Sequence, residues 1–260
     1  MKKGITLLIS VLLVASCTTT KNLTYLNNLP KTEGPQYFPY AMQDYKVQYR
    51  DILYVDIKAT TADGKIENVL QGNSTVNMSY MQSESSQYLI GFNVDKNGKI
   101  LLPVLGHIMV SGKDLDEIRG IIQHKVDSVY NHAYVDVKLL SFKFTVLGEA
   151  RTPGTFINYN DYLTVFEAVG RAGGIGDYGR HDRILVVRST PEGSKTFVLN
   201  LQDKAILSSE AYFLMPNDVV IIEPAKHKIL NMNLPTFSFL ITSVTGIITT
   251  TLLLVNYFGK

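Results

Sequence analysis

From Ile229 to Gly259 the chain carries no charged residue, and no other stretch constrains its folding as much. Pro235 is placed to open a helix running to Phe258, because proline is tolerated in a first helical turn. At 1.5 Å per residue a helix over 235–258 extends roughly 35 Å, enough to cross a hydrocarbon core. The expectation is a C-terminal transmembrane helix. Ser238, Thr242, Thr245, Thr249 and Asn256 fall at spacings of 4, 3, 4 and 7, which is one helical stripe. Phe237, Leu240, Val244, Ile247, Ile248 and Val255 take the opposite side. In a plain anchor the hydroxyls bond their own backbone or a neighbouring helix. In a ring of helices the stripe instead faces a water-filled lumen, and those five residues line a pore.

The other end carries a second membrane signal. Met1-Lys2-Lys3, the apolar run Ile5 to Ala15 and then Ser16-Cys17 have the layout of a secretory signal peptide over residues 1–16. Cys17, the only cysteine, sits at the cleavage position after Val14-Ala15-Ser16, which resembles a bacterial lipobox. The resemblance makes Cys17 the lipidated residue. Thr18, in place of an aspartate that retains such proteins at the inner membrane, points to the outer membrane. A single cysteine also excludes an internal disulfide and any multi-cysteine metal site. Lys226 and Lys228 precede the apolar run and only Lys260 follows it. In an inner membrane that bias would hold the preceding domain in the cytoplasm, against the signal peptide. An outer-membrane location removes the conflict.

With 25 basic and 23 acidic residues the chain is nearly neutral, and loss of a leader holding Lys2 and Lys3 makes it neutral. No nucleic-acid footprint exists. A hydrophobic content of 45% excludes disorder for the bulk of the chain.

Between the ends, residues 17–43 lack periodicity and read as a lipidated tether. A first module follows over 44–141. Asp51 to Ile57 alternates as a strand, and a polar insertion at about 60–87 reads as a long loop. Leu89 to Val94 and Lys99 to Val104 flank Asp95-Lys96-Asn97-Gly98, a hairpin signal. Asp114 and Glu117 form a capping box opening a helix with Leu115, Ile118, Ile122, Val126 and Val129 inward. Strands at Tyr134 to Leu140 and Phe142 to Leu147 come next. A second module over 142–225 repeats the plan: a turn at Pro153-Gly154, a capping box Thr164 with Glu167, and a helix stopped by Gly173-Gly174. Strands follow at Arg183 to Arg188, Lys195 to Leu201 and Asn217 to Pro224, the last echoing Arg50-Asp51-Ile52-Leu53. The fold class is α+β, two small mixed modules followed by the C-terminal helix. Gly98, Gly148, Gly154, Gly173 and Gly174 are the expected structural turns.

Catalytic chemistry finds no candidate. Gly174-x-Gly176-x-x-Gly179 matches a dinucleotide pattern, but a helix precedes it and a strand follows, the reverse of what a phosphate needs. The five histidines have no metal-ligand spacing, and no G-x-S-x-G exists. Asp114, Asp116 and Glu117 cluster only where a helix start favours acids, and Asp51 and Asp56 face opposite sides of a strand. No catalytic residue, cofactor or metal is expected.

Gly91-Phe92-Asn93-Val94-Asp95-Lys96-Asn97-Gly98-Lys99-Ile100-Leu101-Leu102-Pro103-Val104-Leu105-Gly106, with Val110 to Glu117, resembles the polysaccharide export domain of the Wza-like outer-membrane lipoproteins. Val146 to Gly154, with Leu163 to Ala168 and Arg171 to Gly174, is similar to the soluble-ligand-binding β-grasp (SLBB) domain that follows in that family. The usual Pro-Gly-Asp before the first strand is Tyr49-Arg50-Asp51 here, and one SLBB unit is visible.

The resemblance implies a homo-oligomeric ring, an octamer, that carries capsular or exopolysaccharide across the outer membrane of a Gram-negative bacterium. It implies a periplasmic globular part and an inner-membrane polysaccharide copolymerase partner, often a tyrosine kinase. The alternative is a lipid-anchored glycan-sensing or binding module without a pore.

Overall fold

The computed structural model describes residues 24–30, 34–39, 42–60, 64–70, 88–130, 132–190 and 192–258; along the last helix it describes the side chains of 228, 239, 242–251, 253–255, 257 and 258. The leader, Cys17 and most of the polar insertion lie outside the described residues.

The first module is built on β1 (Ile52–Thr60), whose alternation buries Leu53, Val55, Ile57 and Ala59 on one face. β1 pairs antiparallel along its length with β6 (Tyr134–Leu139) and on its other edge with β2 (Ile66–Asn68) and β3 (Phe92–Asn93). β4 (Lys99–Leu102) and β5 (Gly106–Met109) form a separate two-stranded ribbon. Helix α1 (Leu115–Asp127) starts at N-cap Asp114, with the reciprocal Asp114–Glu117 capping box in place. Its buried face, Ile118, Ile122 and Val126, closes the core over Val55, Ile57, Val135 and Val137.

Three details differ from the sequence reading. The Asp95–Gly98 turn does not join two paired strands: β3 goes to β1, and the hairpin turn lies at Pro103 to Leu105. Asp95 is nonetheless used fully, its carboxylate accepting the N–H groups of Asn97 and Lys99 at 2.8 Å. Val129 falls beyond the helix end and is 55% exposed rather than inward. Within the stretch read as an insertion, Ile66–Asn68 form strand β2 rather than loop, with Asn68 hydrogen-bonded to Asp56 across the edge.

In the second module a five-stranded sheet has the order β10-β9-β11-β7-β8. Its strands are β7 (Lys143–Gly148), β8 (Gly154–Ile157), β9 (Gly179–Thr190), β10 (Gly193–Leu199) and β11 (Val219–Pro224). β7 and β11 are parallel, the other neighbours antiparallel. Helix α2 (Val165–Arg171), capped by the Thr164–Glu167 box, packs Val165, Ala168 and Val169 on Phe144, Val146, Ile184, Val186, Val220 and Ile222. Leu139 packs against both cores, so the modules share one apolar joint.

Within the stretch read as a tether, residues 25–28 clamp onto this module. Leu26 and Asn27 donate backbone N–H groups to the carbonyls of Leu201 and Gln202 at 3.0 and 2.8 Å. Tyr25 packs its ring on Phe166 and His181, with centroids 5.9 and 5.4 Å apart.

Helix α3 (His227–Phe258) follows β11. It starts eight residues before Pro235, which lies in its interior. The expected C-terminal transmembrane helix is not supported: among the described residues no helix is long and apolar enough to cross a membrane. The side chains at 229–238, 240, 241, 252 and 256 lie outside the described set, so the described part of α3 offers no unbroken apolar run of spanning length.

Candidate functional site

Where the modules meet they leave a cleft of about 1010 Å³. The first module supplies residues 42–45, the N-terminal turn of α1 from Asp114 to Arg119, and Asp136 to Leu139 of β6. The second supplies Phe142, the 159–162 loop and the 213–216 loop. Local chemistry fixes each wall. The capping box sets Asp114 and Glu117 at the helix start, and Lys46 bridges both, its Nζ 2.9 Å from Asp114 and 3.1 Å from Glu117. The carboxyl of Asp114 is held below its ordinary range, first by the Glu117 backbone N–H and then by Lys46. The 159–162 loop is shaped by buried Asn158, whose amide donates to the carbonyls of Asn160 and Tyr162 at 2.6 and 3.3 Å. Arg171 of α2 holds the Asn158 side-chain oxygen at 2.9 Å.

The loop therefore presents Tyr159 and Tyr162 to solvent, 68% and 50% exposed. Tyr162 meets Phe213 edge-to-face at 6.2 Å. At the floor, Tyr45 donates its hydroxyl to Asp51 at 2.7 Å. Asp51 also accepts from Ser141 Oγ in the linker between the modules, at 3.1 Å. Burial pushes the Asp51 carboxyl up, and its three donors pull it part of the way back. Burial also raises the Tyr45 phenol, with Asp51 adding to the effect.

Sequence reading did not find this cleft. Its lining comes from both modules, and no spacing along the chain brings Asp44, Asp136 and Tyr159 together. The residues singled out from the sequence lie elsewhere. Thr242, Thr245 and Thr249 are exposed along α3; the backbones of Ser238 and Asn256 lie in the same helix, their side chains outside the described set. The hydroxyls turn to their own helix: Thr245 donates to Thr242 O, Thr249 to Thr245 O and Thr250 to Gly246 O, at 2.7–3.0 Å. Gly98, Gly148, Gly173 and Gly174 adopt positive φ, whereas Gly154 opens β8 without one. Among the described residues no group of three or more His, Cys, Asp and Glu side chains is arranged for a metal ion.

A sequence model of the polysaccharide biosynthesis/export proteins matches residues 39–140, and one of the SLBB domain matches residues 142–222. The two matches coincide with the two hydrophobic cores. The chain belongs to the Wza-like polysaccharide export family. That family groups export proteins rather than enzymes. Among curated relatives, the EPS I polysaccharide export outer membrane protein EpsA of Ralstonia solanacearum is 33% identical over 141 residues, 52% of this chain and 36% of its own length. The protein of the same name from Ralstonia nicotianae is 33% identical over 115 residues, covering 43% of this chain and 29% of the relative. The chain thus matches about a third of the length of these relatives.

Proposed function

We propose that this chain is a subunit of an outer-membrane assembly that exports a capsular or exopolysaccharide. The observation that carries the reading is the pair of abutting family matches, each over its own core, together with relatives named as outer-membrane export proteins. In this reading the two modules stand in the periplasm, held to the membrane by acylated Cys17. Copies assemble into a ring, an octamer by resemblance, and receive the polymer from an inner-membrane copolymerase, often a tyrosine kinase. The α3 stripe of Ser238, Thr242, Thr245, Thr249 and Asn256 faces the water of the conduit. Support comes from the exposure of every described α3 side chain from Phe239 onward, which leaves the helix available to further copies. Deleting the gene should abolish surface polysaccharide while polymer accumulates inside the cell, and projection images of the purified assembly should show rings. Unchanged surface polysaccharide would defeat the reading.

A second reading, a lipid-anchored glycan-binding module without a pore, is favoured by one observation. The described α3 hydroxyls satisfy themselves on their own helix and need no lumen. Particles that never form rings would favour it.

A further inference from the structure

We propose that the inter-module cleft binds a segment of neutral or amine-bearing glycan and discriminates against uronate-rich chains. This rests on the export reading, and it assigns to the cleft the chemical class of polymer that reading leaves open.

The cleft's volume of about 1010 Å³ lies at the top of the range of small-ligand sites, so it has room for several linked sugars. Its second-module wall carries exposed aromatic rings, Tyr159 and Tyr162, braced by the Tyr162–Phe213 contact and the Asn158 bonds. Such rings have an apolar face and a polar tip. A pyranose is complementary: its C–H face lies on the ring and its hydroxyls reach the rim. Hydroxyls are donors, and carboxylates accept from them in short, charge-assisted bonds. Asp114 and Glu117 are held by Lys46, Asp116 by Arg119 and Asp136 by Lys138. Among the described residues Asp44 and Asp161 have no ion-pair partner, and both are exposed. One stands on each side of the cleft, on residues 42–45 of the first module and on the 159–162 loop of the second.

The same inventory sets the charge preference. Six carboxylates line the cleft against Arg119 and Lys138, with Lys46 beside them. A polymer with a carboxylate on every sugar meets net repulsion along the cleft, stronger at low salt. A neutral chain does not, and a protonated amine gains.

Calorimetric titration of the full-length protein in detergent tests this with hexamers of N-acetylglucosamine, glucosamine and galacturonate. The first two should bind. The galacturonate hexamer should bind at least about tenfold more weakly at low salt, a gap that narrows towards about 0.5 M salt. The double variant Asp44→Asn/Asp161→Asn should narrow the same gap. Tyr159→Ala/Tyr162→Ala should weaken neutral binding by about tenfold while the protein stays folded, the lost Tyr162–Phe213 contact lowering the melting temperature by no more than about a few degrees. No binding of any hexamer, equal binding of the galacturonate hexamer, or neutral binding unaffected by loss of both tyrosines would overturn the proposal. Complementation of the deletion strain separates this failure from that of the export reading. Wild type restoring surface polysaccharide while the titrations fail removes the cleft alone. A deletion without effect on surface polysaccharide removes the export reading, whatever the hexamers do.

Discussion

Asp51 and Asp218 occupy the same position in the two modules. Each opens the central strand of its sheet, and each follows a non-glycine residue of positive φ, Arg50 at 77° and Asn217 at 67°. Each carboxylate accepts the backbone N–H three residues upstream, from Gln48 and Met215, at 2.8 Å. Each amide returns to the carbonyl of that same residue, at 3.2 and 3.1 Å. Both are buried, 4% and 0% exposed. The partners then diverge: Asp51 takes Tyr45 and Ser141, and Asp218 takes the guanidinium of Arg188.

Arg50 therefore holds a left-handed backbone that costs a side-chain-bearing residue roughly 1–2 kcal/mol. Arg50→Gly should stabilise the protein by about 0.5–1 kcal/mol, glycine's own chain entropy offsetting part of the relief. Asn217→Gly should gain less, because asparagine tolerates this region better. Urea midpoints of the two variants against wild type decide it, and a loss of stability in Arg50→Gly would refute the strain.

The Asp51 carboxyl is raised, chiefly by burial. The folded state then keeps a proton at a pH where the unfolded chain has released it. Stability from this group is complete below the ordinary aspartate value and is lost as pH rises through the raised one. The stability advantage of wild type over Asp51→Asn should shrink as pH rises from about 4. Urea unfolding across that range measures it, and an advantage that grows with pH would reverse the sign.

Asp218 is fully buried, and its ion pair with Arg188 is bidentate, at 3.0 and 2.8 Å. Arg188→Leu strands that carboxylate and should cost about 3–5 kcal/mol. Adding Asp218→Asn should recover a large part of the loss. Thermal unfolding of both variants reads the difference, and additive losses would mean that the two residues do not act as a pair.

What the sequence showed of this fold was what local chemistry dictates. The two capping boxes, Asp114 with Glu117 and Thr164 with Glu167, fix their helix starts through bonds three residues apart. The alternation of Ile52 to Ile57 fixes a buried face. The Asp95–Gly98 turn misled because a turn sets a local reversal and not which strands pair; β1 is the partner that β3 prefers. The α3 stripe is a matter of spacing alone, and the side chains of Ser238 and Asn256, two of its five residues, lie outside the described set. The cleft was illegible because it exists only once Leu139 docks one core on the other.

Gly148 and Gly154 separate two uses of glycine. At Gly148 φ is 82°, and an added Cβ would run into the carbonyl oxygen of Ile222 on the parallel strand β11. At Gly154 an added Cβ meets nothing within 4 Å and φ is unremarkable. Gly148→Ala should cost about 2–4 kcal/mol, from the left-handed backbone and the forced overlap together. Gly154→Ala should fall within about 0.5 kcal/mol of wild type. Chemical unfolding of the pair checks both, and equal losses would contradict the close approach of β7 and β11.

The proposed ring makes a prediction about α3 that a single chain cannot satisfy. In one copy both sides of the helix are open: Val244, Ile248 and Val255 are 55%, 52% and 65% exposed, and Thr242, Thr245 and Thr249 are exposed too. In the proposed ring, protection of the apolar side comes from packing against other copies. Single cysteines at all six positions should react with a membrane-impermeant thiol reagent in dissociated monomers, counted above the background of Cys17. In the assembly, those replacing Thr242, Thr245 and Thr249 should still react, while those replacing Val244, Ile248 and Val255 become protected by packing against neighbours. Labelling that is the same on both sides before and after assembly would show that α3 does not build the ring. The conduit, if one forms, would then be walled by the two modules.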